Sequence, residues 1–532
     1  MDDDSTRQSV LFSDFLGKPV VARFDQEHAS SDGGAMLLQA CDRRLGLTEA
    51  LIGGIDDRRQ SGKIRHAIAD LVRQRLYAIA CGYPDGNDAS RLGADPIQKL
   101  LCDRDPVHGE DLASQPTLSR FENAFDRSDL YRMGIALADT VIERHRKRLG
   151  RKVKRITIDL DPTDDPTHGA QQLAFFNGHY DTWCYLPVAG FLSFNEEPEQ
   201  YLFAYVLRPG NATASVGAIG VLSRLLPRLR AAFPRARLRV RLDGGFAAAE
   251  IFAFLEREGL EYVVAMAKNK VLERRAARLM GTARRLSRET GETAHLYSEC
   301  RYAAGTWPKR RRVVIKAEVV RHPGRKPKNN PRFVVTNLAH SPRHLYEAIY
   351  CERANVENRI KELHHGLEID RTSCTRFLAN QLRALLTAAA YVLYQELRLR
   401  AARTAFRSAQ VSTLREHLMK LGTWVQSSVR RIVLHLPASA STATTGRSSP
   451  EASALPPHSA VGRTSRTVGI LLRDSRASHV AEITPSNTSG VENPVPTSVA
   501  APKSPACVDI KPRHRDTCST RTEISSFMHS AG

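Results

Sequence analysis

The chain has no uncharged apolar run near the ~18 residues that a membrane-spanning helix needs, and no Cys-x-x-Cys pair among its nine cysteines. The first absence argues against a membrane protein. The opening MDDDST also lacks the basic start and apolar core of a signal peptide. The second absence removes the paired-thiol zinc site and the dithiol redox motif, and an odd count of cysteines suits thiols kept reduced in the cytoplasm. Acid is scarce as well: 57 Asp and Glu stand against 78 Lys and Arg, a formal charge of +21. Such a balance excludes few folds but favours a polyanionic partner over an acidic or neutral one. The excess is local, because residues 268–332 hold 19 basic and 5 acidic side chains.

At 532 residues the chain exceeds what one hydrophobic core usually serves, so several domains are expected. Residues 1–30 are polar and read as a flexible N-terminus with one short extended candidate, Val20 to Phe24. Residues 31–150 carry apolar positions at helical spacing, as in KIRHAIADLVRQRLYAIACGY (63–83), and read as a helical DNA-binding domain. Within it, residues 114–123 place Arg120 and Asn123 at useful spacing for a DNA-reading helix, or form an ordinary bundle helix. From 151 to 294 strands and helices alternate, with strands at 153–161, 183–193, 201–207, 236–243 and 261–267. Residues 295–338 read as a β-rich basic insertion, and 339–437 return to helices. After 437 the chain turns to Ser, Thr, Ala and Pro, a composition that predicts a disordered tail over 438–532.

Three carboxylates sit at element ends where side chains converge. In ITIDLDPTDDPTHG (156–169) Ile156, Ile158 and Leu160 share one strand face, and Asp159 and Asp161 share the other. In RLRVRLDGGF (237–246) Asp243 ends a strand before Gly244 and Gly245. On the helix expected at 342–366, a rotation of about 100° per residue puts Ile349, Val356, Ile360, Leu363 and Leu367 in one apolar stripe. Tyr350, Arg353, Glu357, Lys361 and His364 form a second stripe beside it. An acid for a metal beside cations for phosphate is what phosphoryl transfer on nucleic acid needs. Taken singly, each acid also reads as a turn residue or a solvated ion-pair partner.

Several long segments share a resemblance that spans about residues 30 to 437. GYPDGNDASRLGADP (82–96), SQPTLSRFEN (114–123), QLAFFNGHYDTWCYLPVAGF (172–191), RLDGGF (241–246) and YCERANVENRIKELHHGLEIDRTSC (350–374) resemble the DDE-class insertion-sequence transposases. The closest likeness is to the insertion sequence family numbered thirteen-eighty. The resemblance implies an α/β fold with an RNase H-like catalytic core, the insertion lying between the second and third acids. It implies Asp161, Asp243 and Glu357 as the three acids, binding two Mg²⁺ or Mn²⁺ ions. Asp161 fits better than Asp159 because Asp161-Pro-Thr163 matches the family's Asp-x-Thr pattern. Tyr350 and Arg353 match the Tyr-Arg-Glu-Lys signature of related enzymes. Its Lys position holds His364, for which Lys361 offers a substitute one turn earlier. The implied partners are terminal inverted repeats and target DNA, met as a homodimer in a synaptic complex near the nucleoid.

Further candidates come from local composition. The run Lys309, Arg310, Arg311 and Arg312 reads as a solvated turn or as a phosphate contact, and the locally basic insertion favours the contact. Trp183 and Trp307 are placed either in the core or against a nucleobase. His168, in the DDPTHG turn, reads as a structural loop residue with a metal or supporting role as the alternative.

Overall fold

Alternation of Ile156, Ile158 and Leu160 with Thr157, Asp159 and Asp161 makes the strand Arg155–Pro162 amphipathic, yet residues 156–161 are all buried. Both of its faces are covered because it lies inside a nine-stranded sheet. In the computed structural model, which describes residues 10–15, 18–22 and 25–437, this strand (β1) is followed by β2 (Val188–Phe194), β3 (Tyr201–Val206), β4 (Arg237–Leu242) and β5 (Glu261–Met266). Then come β6 (Ala294–Tyr302), β7 (Arg311–Val320) and β8 (Arg332–Thr336), with the two-residue strand Lys328–Asn329 on β7. The spatial order is β6-β7-β8-β5-β4-β1-β2-β3. β1, β4 and β5 run parallel; β2 is antiparallel to β1, and β3, antiparallel to β2, runs in the same direction as β1.

The segment 295–338 does not form a sheet of its own. Its strands extend the same sheet, β8 pairing antiparallel with β5 and β7 with β8. Pairing across so many residues leaves no local trace in sequence. The strand expected at 183–193 is broken at Pro187, which has no N–H to give to a ladder. Its first part, Thr182–Tyr185, joins Asp165–Pro166 and Phe175–Asn177 in a separate three-stranded sheet, and its second part is β2.

Helices cover both faces. α1 (Met36–Leu45), α2 (Ile68–Ala80) and α3 (Arg127–Leu149) form the N-terminal block with shorter helices. α4 (Ala218–Ala232) precedes β4, and α5 (Ala249–Arg257) links β4 to β5 in a parallel crossover. α6 (Lys270–Thr290) lays Leu272, Ala276, Met280, Ala283 and Ser287 against β6 and β7. α7 (Ala354–Leu367) carries Glu357.

α8 (Phe377–Arg400) is buried from Leu382 to Arg398 on every side. It joins the N-terminal helices to the sheet: Tyr394 donates to the Ala80 carbonyl at 2.8 Å and Arg144 pairs with Glu396 at 2.5 Å. Its glutamines also cover the β3 edge, Gln395 accepting from the Leu202 amide at 3.0 Å and Gln381 from the Leu207 amide at 2.7 Å. Covering an edge in this way withholds it from pairing with other chains. One hydrophobic cluster runs from α1 through α8 and across the sheet, while Val263, Val314, Val334, Leu345, Tyr346 and Ile349 form a second.

Among the described residues no helix is long and apolar enough to cross a membrane. The expected tail 438–532, and residues 1–9, 16–17 and 23–24 of the expected flexible start, lie outside the described residues.

Candidate active site

β1 and β4 are parallel neighbours whose pairing ends at Leu160 opposite Leu242. One residue further on, Asp161 and Asp243 therefore emerge side by side. Both face Arg353: its Nη2 lies 2.5 Å from Asp161 Oδ1 and 4.0 Å from Asp243 Oδ2, and its Nη1 lies 3.8 Å from Glu357 Oε1. The three acids thus surround one guanidinium.

Their environments differ. Asp161 is buried, Asp243 is partly exposed and Glu357 is exposed on the first turn of α7. Asp243 also caps the short helix Gly244–Phe246 by accepting from the Gly245 amide at 2.9 Å, so the turn role that its sequence suggests is real as well. Burial pushes the Asp161 carboxyl up to about 7, Arg353 opposing and Asp243, Glu357 and Asp159 adding to the rise. Asp159, on the same strand face, is fully buried and held by both its oxygens to Arg241 at 2.8 Å. It is thereby kept away from the group formed by Asp161, Asp243 and Glu357.

The winding around Arg353 is not regular. Leu345–Tyr350 is a π-helix, Cys351–Arg353 a 3₁₀ turn, and the α-helix starts only at Ala354. The apolar stripe is buried as its spacing predicts. The polar stripe, however, assumed one uniform helix. Through the π-to-3₁₀ change Arg353 turns inward, is 9% exposed and is bound to carboxylates. Tyr350 is partly buried and packs against Tyr346 with ring centroids 5.4 Å apart.

Lys361 remains exposed and, with Asp161, Glu357, His364 and Tyr180, lines a cleft of about 420 Å³. His364 is fixed from two sides, its Nδ1 lying 3.0 Å from Asp370 and its Nε2 3.2 Å from the Thr163 hydroxyl.

Oxygen-only donors of this kind suit hard divalent cations. Among the described residues, though, no three His, Cys, Asp or Glu side chains stand close enough together to hold a metal ion; the acids are spaced around the guanidinium instead.

The basic run 309–312 is largely committed elsewhere. Arg311 is buried, donates to both oxygens of Glu256 at 2.8 and 3.0 Å, and lies over the Phe252 and Trp307 rings. Lys309 pairs with the same Glu256 at 3.0 Å. Arg312 pairs with Glu299 and donates to the Leu338 and His340 carbonyls. Only Arg310 of the four is exposed without an ion pair among the described residues. Counter-charges far away in sequence thus meet three of the four.

Further exposed basic side chains of this region lie on α6. Arg274, Arg278, Arg285 and Arg288 share its outer face. The apolar spacing from Leu272 to Ala283 was the signal that would have placed them. Trp307 is buried, Trp183 is 57% exposed and His168 is exposed. On the short helix Gln115–Glu122 of the N-terminal block, Arg120 is exposed.

Residues 12–451 match a family model described as "Transposase DDE domain group 1". A solved structure titled "Cryo-EM structure of piggyBac transposase synaptic complex with hairpin DNA (SNHP)" is similar at 9% identity, with 73% of this chain and 79% of that chain covered and a TM-score of 0.37. No curated protein matches the chain.

Proposed function

The chain belongs to the transposase DDE domain group 1 family, and on that premise we propose that it is a DNA transposase whose acids are Asp161, Asp243 and Glu357. The observation that carries the assignment is the convergence of these three, from two parallel strand ends and one helix, on Arg353. The strand order β3-β2-β1-β4-β5, with β2 alone antiparallel to the rest, supports an RNase H-like core. The finer placement in the insertion sequence family numbered thirteen-eighty rests on the segment resemblances.

In this reading the acids hold two Mg²⁺ or Mn²⁺ ions, which would activate the attacking oxygen and stabilise the leaving oxygen of an in-line displacement at phosphorus. Asp161, fixed at the end of a buried strand, and Asp243, fixed by its cap, set the rigid side of the site. Glu357 approaches from the exposed turn of α7. Lys361, Arg310 and Tyr350 are the groups placed to position a DNA strand through its phosphates or sugars. His364 enters the cleft with its ring direction set by Asp370. The partners would be terminal inverted repeats, held by the helices of 31–150, and target DNA, engaged by a homodimer.

The experiment is strand cleavage and joining on repeat-end DNA with Mg²⁺ or Mn²⁺. Asp161→Asn, Asp243→Asn and Glu357→Gln should each abolish cleavage while DNA binding persists. Full cleavage by all three variants would refute the assignment. Cleavage without joining by the wild type would favour a nuclease on the same fold.

A further inference from the structure

Two arginines grip the acid-bearing strand, and they do so differently. Arg241 engages every nitrogen: Nε and Nη2 donate to Asp159 at 2.8 Å, and Nη1 donates to the Ile349 carbonyl and to Glu352, each at 3.0 Å. Arg353 makes one hydrogen bond, from Nη2 to Asp161. Its Nε is buried with no partner among the described residues, and its Nη1 stays 3.8 Å from Glu357. A buried donor without an acceptor is a cost that the fold leaves unrelieved. Arg241 is built as a permanent tie and Arg353 is not.

The charge balance points the same way. Three carboxylates, those of Asp161, Asp243 and Glu357, meet one cation. The acids hold more negative charge than their partner neutralises. Their spacing, too wide for a metal ion as they stand, is the spacing that a guanidinium imposes. Arg353 is also the last residue of the 3₁₀ turn joining the π-helix to α7, where no regular helical register locks its direction.

We propose that Arg353 is an exchangeable counter-ion: it holds Asp161 beside Asp243 and Glu357, and a divalent cation takes those carboxylate oxygens by displacing its guanidinium. This rests on the metal-site reading above. Arg353 is therefore a positioning residue. The oxygen that accepts its hydrogen bond, Asp161 Oδ1, is one that a cation would need, and two positive charges at that distance repel.

The test is Mn²⁺ binding to the full chain without DNA, followed by the electron paramagnetic resonance of free Mn²⁺. Arg353→Gln removes a unit charge about 4 Å from the acids and should tighten binding ~10-fold or more. Arg353→Lys keeps the charge and should hold wild-type affinity. Asp243→Asn should weaken binding in the wild-type and Arg353→Gln backgrounds alike. Unchanged or weaker binding by Arg353→Gln, with Asp243 still required, would overturn the exchange and leave the metal site standing. Binding that ignores Asp243→Asn would overturn both.

Should Arg353→Gln fail to fold, a crystal of the wild-type chain with Mn²⁺ decides. Arg353 Nη2 is expected beyond the ~4 Å limit of an ion pair from Asp161. Mn²⁺ on Asp161 with that contact intact would sink the proposal.

Discussion

Asp159 and Asp161 share one face of β1 two residues apart, and the register with β4 separates them. Arg241 lies directly opposite Asp159, whereas Asp161 runs past the last paired residue, Leu160, and meets Arg353. The same strand thus delivers one carboxylate to the interior and the next to a cleft.

From that separation we expect mutations of unequal cost. Asp159→Ala leaves Arg241 buried without its carboxylate and should cost about 3–5 kcal/mol in urea unfolding. Asp161→Asn should cost less, because burial already disfavours its charge and Arg353 keeps Asp243 and Glu357 beside it. A larger loss for Asp161→Asn would reverse the roles.

Asp165 gives a pH dependence. It is fully buried; one oxygen accepts from the Thr372 hydroxyl at 2.8 Å and the other has no partner among the described residues. Burial pushes its carboxyl well above the usual value. Its folded-state pKa exceeds that of the unfolded chain, so its contribution to stability is full below the ordinary carboxylate range and is lost as pH rises through the folded value. Asp165→Asn should therefore shrink the fall in melting temperature between about pH 5 and about pH 8. A fall equal to that of the wild type would count against this account.

Two glutamates on α7 should respond very differently to Ala. Glu362 is buried and accepts from the Tyr391 hydroxyl and the Val411 amide, both at 2.7 Å, from Arg359 at 3.2 Å, and from Arg398. Glu362→Ala should lose about 3–5 kcal/mol by stranding Arg398. Glu357→Ala, at an exposed position, should stay within about 0.5 kcal/mol. Denaturant midpoints of the two variants check the contrast.

The tryptophans provide a simple measure of burial. Trp307 packs on Phe252 and Tyr302 with centroids 4.9 and 5.7 Å apart, and Trp307→Ala should cost about 3–5 kcal/mol. Trp183→Ala should change stability by no more than about 0.5 kcal/mol. Thermal melts by circular dichroism would show a misplacement at once if Trp183→Ala were the more damaging.

Legibility in sequence followed the range of the interactions. The alternation in 155–162 and the apolar spacing of 349–367 are local: the strand forms where its pattern puts it, and the apolar stripe is buried although the α-helix itself begins only at Ala354. The inward turn of Arg353 was hidden because helical arithmetic takes one winding throughout, and the segment uses three. The commitment of Lys309 and Arg311 was hidden because their counter-charge, Glu256, belongs to another helix. The union of residues 295–338 with the main sheet depends on β5 meeting β8, a pairing that no local window contains.

The burial of α8 on all sides has a thermodynamic corollary. A helix that supplies core to the N-terminal block and to the sheet cannot lose one neighbour without exposing apolar surface to water on that side. Residues 31–150 and the sheet should accordingly melt in a single cooperative transition, and excision of either part should yield a fragment that aggregates.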